Sequence, residues 1–220
     1  MARTRAATFE QQRDTMLAVA AQLFAERGYP ATSIADLAAQ VGVSKGLLYH
    51  YYKDKEHLLF DIADRYVDRL VQLTERTGET PASAEAALRQ LIERFMIAYE
   101  HAGAFHRVLV QDVKYLSSVH RARVRAKQRQ VIDVFAGTIA AAAPDLAGHK
   151  LLKPVTMTLF GMMNWTFTWL RSDGPVAHAE FAPVIADLFL GGVRRLHGAT
   201  ARVRTRPAAA RPNKMAEMAR

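Results

Sequence analysis

Apolar residues return at three- and four-residue intervals through almost the whole chain, and strict alternation is nearly absent. That period lines side chains up along one stripe of a helix, whereas a strand needs a period of two. The expected fold is therefore all-α. A first helix over residues 9–27 carries Met16, Val19, Ala20, Leu23 and Phe24 on one face, and Gly28 and Pro30 stop it. Thr32 or Ser33 then caps a short helix over 34–40, whose apolar face is Ile34, Leu37 and Ala38. Val41-Gly42-Val43 makes a tight turn, Ser44 caps a third short helix, and Lys53-Asp54 ends it. A long fourth helix follows, with Leu58, Leu59, Ile62, Tyr66, Leu70 and Leu73 in register.

Beyond a break at 78–81, further helices are expected around Leu88–Tyr99 positions and over 105–116, 121–143, 150–171 and 181–196. The helix over 121–143 is basic at its start. The uncharged run 154–170 is too short for a bilayer and carries Pro154, Asn164, Gly161 and several threonines, so it reads as a buried helix.

Two short helices joined by a glycine-containing turn have the geometry of a helix-turn-helix. Gly42 lets the chain reverse, and the small Ala38 allows the helices to approach. The second helix is then placed to enter a major groove with its N-terminal residues at the base edges. These are Ser44, Lys45, Gly46 and Leu47. Lys45 suits guanine or a phosphate, Gly46 permits close backbone approach, and Leu47 suits a thymine methyl. At four-residue spacing Leu48 and Tyr52 share a face that reads as core, which leaves Tyr49 and His50 facing the groove. Tyr51 is not assigned to either side by this spacing.

The segment from Thr15 to Leu59, with Leu23-Phe24, Gly28-Tyr29, Thr32, Ile34, Gly42-Val43-Ser44-Lys45-Gly46, Tyr49 and Lys55-Glu56, resembles the DNA-binding domain of the TetR family of bacterial transcriptional regulators. The resemblance implies that Thr32 and Ser33 hold a phosphate with hydroxyl and backbone N–H. It implies that Tyr49 and His50 contact the phosphate flank and that Lys55 clamps the backbone from the other side. Three regions are expected: a three-helix DNA-binding domain over 9–54, a helical ligand-binding and dimerisation domain over 55–198, and a basic tail over 199–220. The tail holds Arg202, Arg204, Arg206, Arg211, Lys214 and Arg220 against the single acid Glu217, more than half of the chain's net charge of +9. It reads as disordered, serving either solubility or unspecific attraction to phosphates.

Family members act as homodimers on palindromic DNA, so a dimer surface is expected. The last helix offers Val184, Ile185, Leu188, Phe189 and Gly192 along one stripe, paired with the helix before it in a four-helix interface. The surplus of large apolar residues around Asn164 suggests a pocket for a small hydrophobic effector. Phe160, Met163, Trp165, Phe167 and Trp169 would line it, with the alternative that they are dimer core. This part is more loosely similar to TetR members that answer to acyl-CoA thioesters, which implies phosphate partners among Arg107, Arg121, Arg125 and Arg171.

Absence of cysteine excludes thiolate metal sites and cysteine nucleophiles and fits a reducing cytoplasm. The eight histidines show no metal-binding spacing, and no Walker lysine, dinucleotide-binding glycine pattern or nucleophile elbow is present. The expectation is a non-enzymatic, cytoplasmic regulator without cofactor or metal, bound to operator DNA and not to membrane. A multidrug-sensing repressor with a non-CoA ligand, or an architectural DNA-binding protein, are the alternatives.

Overall fold

The computed structural model describes residues 2–75, 81–171 and 173–196, with side chains from Phe9 onward. The basic tail expected over 199–220 lies outside the described residues. Among the described residues nine α-helices follow in order: α1 (Ala2–Arg27), α2 (Ile34–Val41), α3 (Lys45–Tyr51), α4 (Lys55–Thr74), α5 (Ala84–His101), α6 (Gly103–Gln111), α7 (Ser118–Ala142), α8 (Leu152–Asn164) and α9 (His178–Arg194). Short 3₁₀ turns lie at Val113–Tyr115, Pro144–Leu146 and Trp165–Thr168. No strand occurs among the described residues, and no described helix is long and apolar enough to cross a membrane.

Local chemistry sets the limits of the first helices. Gly28, at φ +84°, closes α1 by donating its N–H to the Phe24 carbonyl at 2.9 Å. Ser33 caps α2 in a reciprocal box with Asp36, and Gly42, at φ +77°, ends it. A side chain at either glycine would be forced into a left-handed conformation. The Ser44 hydroxyl then accepts from the Leu47 N–H at 3.1 Å, starting α3, and Asp54 caps α4 through the His57 N–H. Leu37, Leu48, Leu58, Leu59, Met16 and Phe24 are buried together.

Charged groups tie the small helices to the body. Asp61 of α4 receives Arg13 of α1 at 2.9 Å, Tyr52 at 2.9 Å and Arg65 at 3.0 Å. Asp64, almost buried, meets Lys127 at 2.6 Å and Arg123 at 3.0 Å, so the basic start of α7 is matched to an acidic face of α4. Glu56 accepts from the Ser117 N–H at 2.9 Å and from His120 Nδ1 at 2.9 Å, locking the first turn of α4 to the first turn of α7. The core of the body forms where α5 meets α7 and α9 and where α4 meets α7, around Phe95, Phe135, Ile92 and Leu88.

Two expected helices are shortened: the one over 105–116 ends at Gln111, before the 3₁₀ turn at Val113–Tyr115. The run 150–171 is helical only to Asn164, after which the chain tightens into a 3₁₀ turn. Thr166 and Thr168 donate their hydroxyls to the carbonyls of Met163 (2.6 Å) and Trp165 (2.7 Å), competing with continued α-helix.

Candidate DNA-reading head and effector cavity

The third helix is a short element whose two sides differ. Leu48 and Tyr52 are buried, whereas Ser44, Lys45, Gly46, Leu47, Tyr49 and His50 are exposed, Tyr49 by 53% and Leu47 by 36%. The side chain that the sequence could not place, Tyr51, turns back to α1. It stacks on Phe9 with centroids 4.4 Å apart and donates its hydroxyl to Gln12 at 2.6 Å. The outward set therefore rests on a pinned base, which is what reading a groove at fixed spacing demands.

Two residues expected to hold phosphate are otherwise engaged. Thr32 is buried and donates its hydroxyl to the Gly28 carbonyl at 3.0 Å, so that hydroxyl is not offered to DNA. Ser33 is exposed, but its hydroxyl donates to the Asp36 carboxylate at 2.6 Å and its N–H donates there at 2.9 Å. The capping box that starts α2 thus uses the groups the resemblance had assigned to a phosphate. Lys55 is also different from a free clamp. Its ammonium donates to the carbonyls of Tyr29 (2.9 Å) and Thr32 (2.8 Å) and lies 4.3 Å over the Tyr29 ring. Partial burial lowers its pKa from the ordinary lysine value. Two of its three protons stabilise the link between α1 and α2, which leaves one for a backbone phosphate.

Asp54, Glu56 and His57 bring ligand atoms within 4.8 Å of one another, a spacing open to a metal ion. Each already has work: Asp54 caps α4 and faces His57 at 3.1 Å, and Glu56 holds α7. The group is explained as a cap and a junction.

Of the eight residues expected to line the effector site, seven are brought to three different places, and the eighth, Met163, is packed in the core. Phe160 and Asn164 line an interior cavity of about 230 Å³ between α4, α5, α6, α7 and α8, with Val67, Leu70, Phe95, Tyr99, His106, Leu109, Gln128, Val131 and Ile132. It opens beside Val110 and Met157, both exposed. Arg107, Phe167 and Arg171 instead line a neighbouring cleft, with Glu26 of α1, Glu100, Asp173 and His178. Tyr99 borders both spaces. In the cleft Arg107 donates to the carbonyls of Ala25 (3.3 Å) and Phe167 (3.4 Å) and lies 5.4 Å from the Phe167 ring centre. Arg171 pairs with Asp173 at 2.7 Å. Neither Arg121 nor Arg125 lines the cleft.

Met163 is fully buried without lining the cavity. Trp165 and Trp169 lie on the outside, 64% and 52% exposed, on the stripe that Thr158, Gly161 and Met162 begin. They border an apolar surface groove between α8 and α9 with Gly161, Met162, Phe181 and Leu188. On α9 the expected dimer stripe divides in two. Val184, Leu188 and Gly192 are exposed, whereas Ile185 and Phe189 are buried. The latter two lie about 100° further round the helix, on the side packed within the chain.

Among the cavity residues that sequence reasoning missed, His106 and Tyr99 carry polar groups on one wall. Their rings stack at 3.7 Å, and Tyr99 donates its hydroxyl to Asn164 Oδ1 at 2.9 Å. Burial pushes the His106 pKa down to about 4, only partly offset by the nearby Asn164 carbonyl. The imidazole is neutral at pH 7. A signal existed: His106 sits at a buried register of α6, beside Val108 and Leu109.

An exposed helix with the geometry of a recognition helix, held by caps and ion pairs on a helical bundle that carries a cavity, defines the helix-turn-helix class of DNA-binding protein. Comparison with known families and structures agrees. Residues 16–62 match the family model described as bacterial regulatory proteins, tetR family, and residues 81–193 match the tetracyclin repressor-like C-terminal domain. The chain belongs to the TetR family of DNA-binding transcriptional regulators. It is 25% identical over 194 residues to the HTH-type transcriptional repressor KstR2 of Mycolicibacterium smegmatis, across 85% of this chain and 93% of KstR2. A TetR-family transcriptional regulator from Bordetella parapertussis 12822 is 34% identical with a TM-score of 0.75, across 81% of this chain and 93% of that one. AibR, solved in complex with isovaleryl coenzyme A and operator DNA, has the same fold, with a TM-score of 0.69 at 22% identity, across 80% of this chain and 97% of AibR.

Proposed function

We propose that the protein is a homodimeric repressor that occupies a palindromic operator in the cytoplasm and leaves it when an acyl-CoA thioester binds. The observation that carries this reading is the course of α4. Lys55 at its first turn supports the reading head, and Val67 and Leu70 near its far end line the cavity. Fifteen residues of helix separate Lys55 from Leu70, about 22 Å at 1.5 Å per residue. A ligand that displaces the far end of α4 changes where the head stands.

Three further features fit. The groove between α8 and α9 exposes Trp165, Trp169 and Leu188 together, an apolar face suited to the same face of a second chain. Two heads related by such a dimer axis would meet half-sites one DNA turn apart, roughly 34–36 Å. The cavity's apolar wall suits an acyl chain, and Arg107 and Arg171 in the adjoining cleft suit CoA phosphates. KstR2 is a repressor, and AibR was solved with a CoA thioester and operator DNA, so both are compatible with this reading. A non-CoA hydrophobic effector is the second reading, favoured by the acids Glu26, Glu100 and Asp173 in the same cleft.

The test is a footprint on DNA selected from the source genome, repeated with rising hexanoyl-CoA. The proposal expects two protected half-sites about one turn apart that are lost with the thioester. Uniform protection along the fragment would support an architectural protein. Loss with hydrophobic drugs but with no thioester would support the second reading.

A further inference from the structure

Most of the cavity wall is hydrocarbon, including Leu70, Phe95, Val131 and Phe160, and no charged side chain lines it among the described residues. Gln128 is one polar member of the lining, and one wall gathers the other three, Tyr99, His106 and Asn164. His106 is 2% exposed and borders the cavity, yet neither of its ring nitrogens has a hydrogen-bond partner among the described residues. The Asn164 carbonyl is close enough to influence the ring without completing a bond of regular geometry. Tyr66, whose ring meets His106 edge-on at 6.0 Å, also buries a hydroxyl without a partner. Leaving such groups unsatisfied costs on the order of 1–3 kcal/mol each, so they persist where something else completes them.

The neighbouring polar group is held in a defined orientation. Tyr99 occupies Asn164 Oδ1 at 2.9 Å, which turns the Asn164 amide nitrogen, a donor, to the remaining space. His106 adds one donor and one acceptor, since a neutral imidazole carries one of each. The stacking of His106 on Tyr99 fixes the ring relative to that amide.

We infer that this wall is a recognition site for an uncharged oxygen, a carbonyl or hydroxyl, on an otherwise apolar ligand. The inference rests on the effector reading above and narrows it: a carbonyl accepts from Asn164 and His106, and a hydroxyl also donates to His106. A carboxylate is rejected. It would enter a space with no lysine or arginine on its wall, and burying an unpaired carboxylate is far more costly than burying a ketone. The thioester carbonyl of an acyl-CoA meets the requirement, and the free acid released from it does not. Size sets a second limit. A cavity of 150 Å³ holds benzene, so about 230 Å³ holds an apolar body of roughly nine heavy atoms.

Three probes of matched size separate the possibilities: octan-2-one, octanoate and n-nonane, each titrated into the full-length protein at pH 7.5 with affinity measured by calorimetry in parent and variants, and with the ¹⁵N resonances of His106 followed in the parent. Octan-2-one is expected to bind at least tenfold more tightly than octanoate and to shift the His106 ring signals. His106→Phe keeps the stack on Tyr99 and is expected to weaken octan-2-one about tenfold without weakening n-nonane. Asn164→Leu, as a second variant, is expected to do the same. Octanoate binding as tightly as the ketone, or ketone affinity unchanged in both variants, would overturn the inference. Operator release by hexanoyl-CoA, measured in parallel, separates this inference from the effector reading. Release that neither variant weakens removes the polar wall and leaves the effector reading. Ketone binding through His106 with no ligand-dependent change in operator affinity does the reverse.

Discussion

Replacing His106 with phenylalanine should remove a specific sensitivity to acid. In the folded chain the imidazole titrates near 4 because burial, reinforced by the neighbouring His178, disfavours its charged form. In the unfolded chain it titrates at its ordinary 6.5. Between these values the unfolded state binds the extra proton, so stability falls as pH drops from about 6.5 toward 4 and is unaffected above that window. A difference of that size is worth roughly 3 kcal/mol once pH is below both values. For a chain of this length that corresponds to roughly 6–12 °C in Tm. The assay is thermal unfolding of parent and His106→Phe at fixed protein concentration, from pH 7.5 to 4.5. Every other titrating group is common to both proteins and cancels in the difference. The variant is expected to gain on the parent steadily below pH 6.5. Parallel profiles would refute the reasoning, because they would mean that water or a counter-charge reaches the ring.

Two substitutions examine the supports of the site. Lys55→Ala removes two charge-assisted hydrogen bonds to Tyr29 and Thr32, so it should cost roughly 1–3 kcal/mol of stability in denaturant unfolding as well as weaken all DNA sequences alike; unchanged stability would return Lys55 to a purely DNA-facing role. Leu188→Asp places a charge in the middle of the α8–α9 groove and should convert a dimer to monomer in sedimentation, with little change in helicity, since Leu188 is 63% exposed within one chain; an unchanged sedimentation coefficient would move the dimer surface elsewhere.

Much of the head was legible because its determinants are local. Gly28, Ser33, Gly42, Ser44 and Asp54 cap helices within a few residues of themselves, so their spacing specifies the turns without reference to the rest of the chain. The partition of Leu48 and Tyr52 from Tyr49 and His50 followed from helical period for the same reason. What depended on partners distant in sequence was not legible. Tyr51 is decided by Phe9 and Gln12, and Lys55 by carbonyls 23 and 26 residues earlier. Periodicity gives the angle between two residues on a helix but not which neighbour each angle faces, so Ile185 and Phe189 were grouped with Val184 and Leu188 although α9 presents them inward. The tryptophans were misplaced for the same reason: Trp165 and Trp169 continue the helical stripe of Thr158, Gly161 and Met162, which faces the outer groove, while Phe160 and Asn164 face the cavity. His106 was passed over because a metal-site spacing was sought, and a single buried histidine has none.

The account rests most directly on the exposed edge of α3. Tyr49 is half exposed, contributes nothing to the core, and stands on a helix whose inner face is fixed by Leu48 and Tyr52. Equilibrium binding of Tyr49→Ala to a footprinted operator, compared with the parent at one salt concentration and with unfolding measured alongside, isolates its role. The prediction is at least a tenfold loss of operator affinity, about 1.4 kcal/mol, at unchanged stability. Parent-like affinity in the folded variant would contradict the assignment of α3 as the reading helix.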